Sequence, residues 1–214
     1  MMRSSPVVKA RSGTHSPAAR TVPTVPNGVN RRLTALSTPL STKAARFYKR
    51  YRYPGWLETH SRIVGAIAEA LLAARRAGAP PVDGEALVLA AYLHDVGRSP
   101  LLAGDPRDHN ILSGLVLAAE GLAACVEPAR RHAIYTVLDP RLAPRTPEEK
   151  LVYVADRRGG QSVVPLDERA HDTARRNPGY AEEIERAIPL AKVIEREVFA
   201  DVTFAPDELA GRVR

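Results

Sequence analysis

The sequence has very little cysteine and few aromatic residues. Its single cysteine, Cys125, excludes an intrachain disulfide and a cysteine-based zinc site, and on its apolar stretch it is predicted to be a small core residue. Aromatic residues make up 5% of the 214 residues, whereas hydrophobic residues of all kinds make up 44%. A core must therefore be built mainly from Ala, Leu, Val and Ile, a composition that favours closely packed helices.

Long hydrophobic runs are missing as well. The longest uninterrupted apolar run covers residues 86–93, which is eight residues, whereas a membrane span needs about 18. We therefore predict no membrane segment. The sequence also lacks the apolar region of a secretory signal. Together with the single cysteine, this favours a cytoplasmic location.

Acidic residues are absent from the first 57 residues, which contain eleven Lys or Arg; residues 58–214 hold 20 basic and all 24 acidic residues. The formal charge of +7 thus arises in the tail, and the remainder is mildly acidic. Residues 1–40 are rich in Ser, Thr, Pro and Arg without periodicity, which predicts disorder. Three roles stay open for this tail: an extension without specific function, a basic arm that contacts nucleic acid or another anion, and an organellar transit peptide.

Helical periodicity dominates the rest of the chain. Residues 56–77 carry an apolar stripe that includes Ile63, Ile67 and Leu71, and residues 84–96 are apolar almost all round, which predicts a central buried helix. Further helices are predicted at 41–53, 109–122, after Pro128, and at 147–157, 165–176, 178–199 and 206–213. No strand pattern occurs, so the predicted class is all-α. The predicted organisation is a tail (1–40), a short helix and linker (41–55), a core (56–160) and C-terminal helices that pack on the core (161–214).

Two aspartates each follow an apolar helical run. Asp95 comes after residues 86–93 and His94, and Asp156 after residues 151–155. A buried carboxylate needs a cation, several hydrogen-bond donors or solvent. An isolated His94-Asp95 pair also fits a surface helix cap, but two such aspartates with histidines on other helices fit a mixed imidazole–carboxylate metal site. Such a site suits Mn, Fe, Co, Ni or Zn.

The order His60, His94-Asp95 and Asp156 resembles the signature of the HD-domain superfamily of metal-dependent phosphohydrolases. Three blocks carry the resemblance: HSRIV at 60–64, AAYLHDVGR at 90–98 and EKLVYVAD at 149–156. It extends over about residues 56–160. The resemblance implies a compact bundle of helices with the metal at its centre.

The resemblance also implies a set of ligands. The first metal would be bound by His60, His94, Asp95 and Asp156. Two further histidines, His109 and His132, are similar to those of the two-metal subgroup, in which Asp95 would bridge two ions. One or two divalent transition-metal ions are therefore expected, and His132 is expected to lie within the helix that follows Pro128.

The implied activity is hydrolysis of a phosphoester or phosphoanhydride, in a nucleotide or another small phosphorylated molecule, by attack of a metal-bound hydroxide. Asp95 and Arg98 are the expected catalytic residues, with Arg98 standing where many members have lysine. Arg98 and Arg157 are the expected phosphate contacts. Two alternatives stay open: a non-catalytic nucleotide sensor and a di-iron oxygenase of the same fold. Assembly as a homodimer also stays open.

Several features have simpler interpretations. The second His-Asp pair, His171-Asp172, has polar neighbours and is predicted to lie on the surface. Arg157 and Arg158 also fit a solvated helix end. In the helix at 178–199, one face is predicted to pack inward; its residues are Ile184, Ile188, Val193, Ile194 and Val198.

Overall fold

The computed structural model describes residues 39–213, and in this range it contains α-helices and short 3₁₀ helices but no strand. Backbone pairing of the β type is limited there to two isolated bridges, Arg75 with Val202 and Gly159 with Val163. The predicted all-α class is therefore confirmed. None of the helices in this range combines the length and the apolar character of a membrane span. The predicted disorder of the tail lies outside the described residues, except for residues 39 and 40, which belong to the first helix.

Nine α-helices follow one another along the described part of the chain. They are α1 (Pro39–Arg50), α2 (Gly55–Ala73), α3 (Gly84–Leu93), α4 (His109–Ala119), α5 (Ala123–Arg130), α6 (Pro147–Arg158), α7 (Leu166–Arg176), α8 (Ala181–Ala200) and α9 (Leu209–Arg212). The 3₁₀ helices are Val96–Arg98, Pro100–Leu102, Ile134–Leu138, Pro178–Tyr180 and Pro206–Glu208.

Helix α3 is the central helix, as predicted. Every residue from 86 to 93 is buried, and the helix packs against α1, α2, α5 and α6. Its first turn is capped by Asp83, whose side chain accepts a hydrogen bond from the amide of Ala86 at 3.0 Å. The helix ends at Leu93 rather than at the predicted residue 96, because the chain turns there into a 3₁₀ helix whose Gly97 amide donates to Ser113 Oγ at 2.9 Å.

The predicted helix after Pro128 is wrong. Helix α5 begins earlier, at Ala123, and contains Pro128 in its second turn. The proline has no amide proton, so the helix lacks one internal hydrogen bond at this position. His132 consequently lies in the turn between α5 and the 3₁₀ helix Ile134–Leu138, not within a helix as predicted.

Other helix boundaries also differ. Helix α2 ends at Ala73 instead of residue 77, and α4 ends at Ala119 instead of 122, ahead of Gly121 with its positive φ of 74°. In α8, Val193 is 39% exposed, which contradicts its predicted inward position. The buried face of α8 instead repeats every three or four residues, and Val193 falls off this stripe.

Candidate metal centre

Six side chains that lie in or next to the helices α2 to α6 come together in one place. His60 comes from α2, His94 directly follows α3, and Asp95 comes next. His109 is the first residue of α4, His132 follows α5, and Asp156 lies in the last turn of α6. The structure thus brings together all six predicted ligands. Five of them are at most 4% exposed, and only His109 is partly exposed.

A first cluster joins His60, His94, Asp95 and Asp156. His60 Nε2 lies 3.1 Å from His94 Nε2, 3.2 Å from Asp156 Oδ1 and 3.7 Å from Asp95 Oδ2. His94 Nε2 lies 3.7 Å from Asp156 Oδ1 and 3.8 Å from Asp95 Oδ2. Ligand atoms around one transition-metal ion with bonds of about 2.1 Å are roughly 3.0–3.4 Å apart. The cluster therefore has the size of a metal coordination sphere, slightly open on the Asp95 side.

A second cluster uses the other oxygen of Asp95. Asp95 Oδ1 lies 3.4 Å from His109 Nε2 and 3.3 Å from His132 Nε2, and these two nitrogens are 3.2 Å apart. The two carboxylate oxygens thus face two different sets of imidazoles. Asp95 is the residue that the two clusters share.

Backbone carbonyls determine how the histidines present their nitrogens. His94 Nδ1 donates a hydrogen bond to the carbonyl of Ala91 at 2.8 Å, and His132 Nδ1 donates to that of Ala129 at 2.6 Å. In a neutral imidazole the proton is then on Nδ1, and Nε2 presents a lone pair to the cluster. The Nε2 atoms of His60 and His94 are 3.1 Å apart, and two imidazole nitrogens this close need a proton or a cation between them. The donor set therefore fits a bound cation.

Comparison with protein families identifies this constellation. Residues 57–158 match the family model described as HD domain. The chain carries an HD domain. The resemblance deduced from the three sequence blocks is thereby confirmed, and all six predicted ligands lie inside the matched segment. Domains of this family are generally metal-dependent phosphohydrolases. Comparisons with curated proteins and with solved structures gave no match.

The carboxylates of Asp95 and Asp156 are anionic despite their burial. Burial raises the pKa of Asp95, but the charge of Arg98 and the nearby histidines outweigh it and hold that pKa well below the usual range. For Asp156, burial is outweighed in the same way by Arg157, His60 and His94. Two carboxylates that remain charged in a buried site provide the negative charge that divalent ions require.

The pKa values of His109 and His132 are shifted in the opposite direction to the pKa of His94. Burial lowers the pKa of His109 to about 3 and also lowers the pKa of His132, so both imidazoles are neutral and able to act as ligands. Burial disfavours the charged form of His94 too, but Asp95 and Asp156 outweigh it and raise its pKa. Binding of an ion to the first cluster would compete with a proton for Nε2 of His94.

Arg98 lies at the mouth of the second cluster. Its Nε donates to both oxygens of Asp95, each at 2.9 Å, and its Nη2 donates to His109 Nε2 at 2.9 Å. The guanidinium therefore contacts two of the three ligands of that cluster. It orients the shared carboxylate and adds positive charge to the site.

The predicted solvated helix end at Arg157 and Arg158 is wrong. Both arginines are buried, because α8 packs against α6 and the carbonyl of Pro206 contacts Arg158. Arg157 forms an ion pair with Asp156, so it belongs to the site. Arg158 instead points away, donating to Glu195 Oε1 at 2.9 Å and to the carbonyl of Pro206 at 2.7 Å.

A pocket of about 340 Å³ opens onto the second cluster and onto Asp156. The HD domain contributes Arg98, Arg157 and Tyr135 to its walls. The remaining wall comes from α7, the 3₁₀ helix Pro178–Tyr180 and the start of α8, and includes Arg169, Thr173, Asn177 and Tyr180.

Sequence reasoning missed this C-terminal wall. The sequence contains one pattern that could have indicated this wall. Arg169 and Thr173 are four residues apart, the same helical period as the buried Ala170 and Ala174.

The second His-Asp pair takes no part in the site. His171 is exposed, and Asp172 pairs with Arg175 and Arg176 on its own helix, as the polar neighbours predicted. Cys125 is buried, in agreement with its predicted place in the core.

Proposed function

We propose that the HD domain of this chain hydrolyses a phosphate ester or phosphoanhydride bond in a small phosphorylated molecule. The observation that carries this proposal is the carboxylate of Asp95, whose two oxygens face separate ligand clusters at the inner end of a pocket lined by three arginines. Ions held there would supply positive charge to phosphoryl oxygens and lower the pKa of a water molecule for attack on phosphorus.

Two ions are proposed. The first would be held by His60, His94, Asp95 Oδ2 and Asp156, and the second by Asp95 Oδ1, His109 and His132. Four imidazoles among six ligands favour Mn, Fe, Co, Ni or Zn over Mg. The support for two ions is geometric, since each oxygen of Asp95 has two imidazole nitrogens within 4 Å.

The chain's own residues would position the substrate and balance its charge. Arg98 keeps Asp95 anionic and oriented, and its partly exposed side chain faces the pocket, where it would contact the phosphate. Arg157 does the same for Asp156 from a buried position. Guanidinium groups suit this task because they stay charged and present several donors to phosphate oxygens.

The pocket favours a nucleotide among phosphorylated molecules. Its volume of about 340 Å³ is near the lower end of the usual range for small-ligand pockets, roughly 300–1,000 Å³. The rings of Tyr135 and Tyr180 lie in its wall, and aromatic rings of this kind stack well on nucleobases. Tyr135 is held in place by its hydroxyl, which donates to Asp108 Oδ2 at 2.9 Å.

The test uses purified full-length protein loaded separately with Mn, Fe or Co and a panel of nucleotides, with released phosphate as the readout. We expect phosphate release that is abolished in the double variant His94→Ala with Asp95→Ala. The matched control is His171→Ala with Asp172→Ala, which changes the same dipeptide on the surface and should leave the rate unchanged. Failure of every metal to give phosphate, or full activity in the first double variant, contradicts the proposal.

The same preparations separate the two alternative functions. Nucleotide binding without turnover, whichever metal is present, would point to a sensor. Oxygen consumption by the anaerobically iron-loaded protein, without phosphate release, would point to an oxygenase.

A further inference from the structure

Arg169 is a pocket residue that lies outside the segment matched to the HD domain. It belongs to α7 and lines the same pocket as His132 and Asp156. Its Nε donates to the carbonyl of Gly159 at 2.7 Å, and its Nη1 donates to Thr173 Oγ1 at 2.9 Å. Two anchors therefore fix the plane of the guanidinium.

Thr173 is oriented to serve as one of these anchors. Its hydroxyl donates its only proton to the carbonyl of Arg169 at 2.8 Å, so the oxygen presents lone pairs to Nη1. The other terminal nitrogen, Nη2, has no hydrogen-bond partner within residues 39–213. Nη2 is also not completely buried, so a ligand in the pocket can reach it. The side chain is held by two nitrogens and presents the third.

The charge of Arg169 is not balanced by a carboxylate. Within the described part of the chain it forms no ion pair, whereas Arg98, Arg157 and Arg158 each pair with an acid. Burial lowers the pKa of Arg169; the negative charge of Asp156 counteracts this, and the positive charge of Arg157 adds to it. An ion bound at Asp156 would neutralise the carboxylate that most favours the charged form of Arg169. An anion in the pocket would restore the balance.

We infer that Arg169 binds the phosphate group of the substrate, donating a hydrogen bond from Nη2 to a phosphate oxygen. This inference rests on the proposed function, because it takes the pocket's ligand to be phosphorylated. It adds a phosphate-binding residue from α7 to those supplied by the HD domain. A purely structural role, tying α7 to Gly159, uses only Nε and Nη1 and leaves Nη2 without a purpose.

The experiment is calorimetric titration of the full-length, Mn-loaded protein with inorganic phosphate. We expect Arg169→Met to weaken phosphate binding roughly 10- to 100-fold, which is the effect of losing a hydrogen bond from a charged donor. The matched control is Arg175→Met on the same helix, whose guanidinium is exposed and paired with Asp172. This control should bind phosphate as the wild type does.

Arg169→Lys keeps the charge without the anchored fork and should bind with intermediate affinity. Equal affinity in Arg169→Met and wild type, or no phosphate binding by the wild type at millimolar concentrations, overturns the inference. If Arg169→Met does not fold, as judged by its melting curve, Thr173→Val decides. This variant keeps the guanidinium but removes one anchor, so we expect several-fold weaker binding, and unchanged affinity contradicts the inference.

Failure of this inference is distinguishable from failure of the proposed function, because phosphate binding requires no turnover. Hydrolysis that is unaffected by Arg169→Met overturns the role of Arg169 alone. Binding of phosphate that depends on Arg169, without hydrolysis of any nucleotide, overturns the proposed activity and leaves the anion site standing.

Discussion

Replacing Gly97 by alanine tests whether packing at a distance from the ligands sets the second cluster. Gly97 lies in the 3₁₀ helix after Asp95, directly against α4. A Cβ at this position would collide with the carbonyl oxygen of His109 and lie 2.8 Å from the amide nitrogen of Ser113. Both are backbone atoms of α4 and cannot rotate away. The helix itself must shift, on the order of an ångström, and carry His109 away from Asp95.

The expected effect is selective for one of the two ions. Metal–ligand distances tolerate only about 0.2 Å, so the second ion should bind roughly 10- to 100-fold more weakly. The ligands of the first ion, which are His60, His94, Asp95 and Asp156, all lie outside α4, so the first ion should bind as before. The extra methyl should also lower the free energy of unfolding by about 1–3 kcal/mol.

The assay is calorimetric titration of the metal-stripped protein with Mn²⁺. Wild type should show two binding events, and Gly97→Ala should show one unchanged event and one weakened event. Gly55→Ala is the control, because a Cβ there meets no atom within 4 Å. Two events of unaltered affinity in Gly97→Ala would refute the reasoning.

Three further predictions concern stability and titration. Arg158→Met should lower the free energy of unfolding, measured in denaturant, by about 2–4 kcal/mol, because it leaves Glu195 and the carbonyl of Pro206 without their donor. The control Arg176→Met, at an exposed position, should change this free energy by under about 1 kcal/mol. Removing bound ions with a chelator should lower the melting temperature by several degrees, the equivalent of about 2.7 kcal/mol at ion concentrations near 100 Kd, and an unchanged melting curve would contradict a folded-state ion site. His109, with its pKa lowered to about 3 by burial, should show no imidazole titration by NMR between pH 5 and 8 in the ion-free chain. Because the unfolded chain takes up this proton near pH 6.5, the contribution of His109 to stability should decrease as the pH falls from about 6.5 towards 3, and a His109 resonance that titrates near 6.5 would show the assignment to be wrong.

The two aspartates of the predicted ligand set could be found from local patterns, whereas the histidines were assigned from the resemblance to the HD-domain superfamily. Asp95 and Asp156 each follow a run of apolar residues, and burial of such a run forces the carboxylate that follows it into a dry environment. The central position of α3 followed from its lack of a polar face. These features depend on short stretches of sequence, which is why they could be deduced without coordinates.

Long-range packing accounts for what the sequence did not predict. The burial of Arg158 depends on Glu195 and Pro206, which lie about 40 residues away and share no pattern with α6. The place of Arg169 in the pocket depends on how α7 turns back towards Gly159, and no local signal specifies that turn. The wrong prediction of a helix start after Pro128 has a different reason. A proline inside a short helix cannot be distinguished in the sequence from a proline that begins a helix.

The central claim is that Asp95 is shared by two ions, and the most direct test is an anomalous difference map from crystals of the Mn-loaded protein. The account predicts two peaks, each about 2.1 Å from a different oxygen of Asp95. One should also contact His60, His94 and Asp156, and the other His109 and His132. A single peak, or two peaks of which either lies beyond bonding distance of Asp95, would contradict the account.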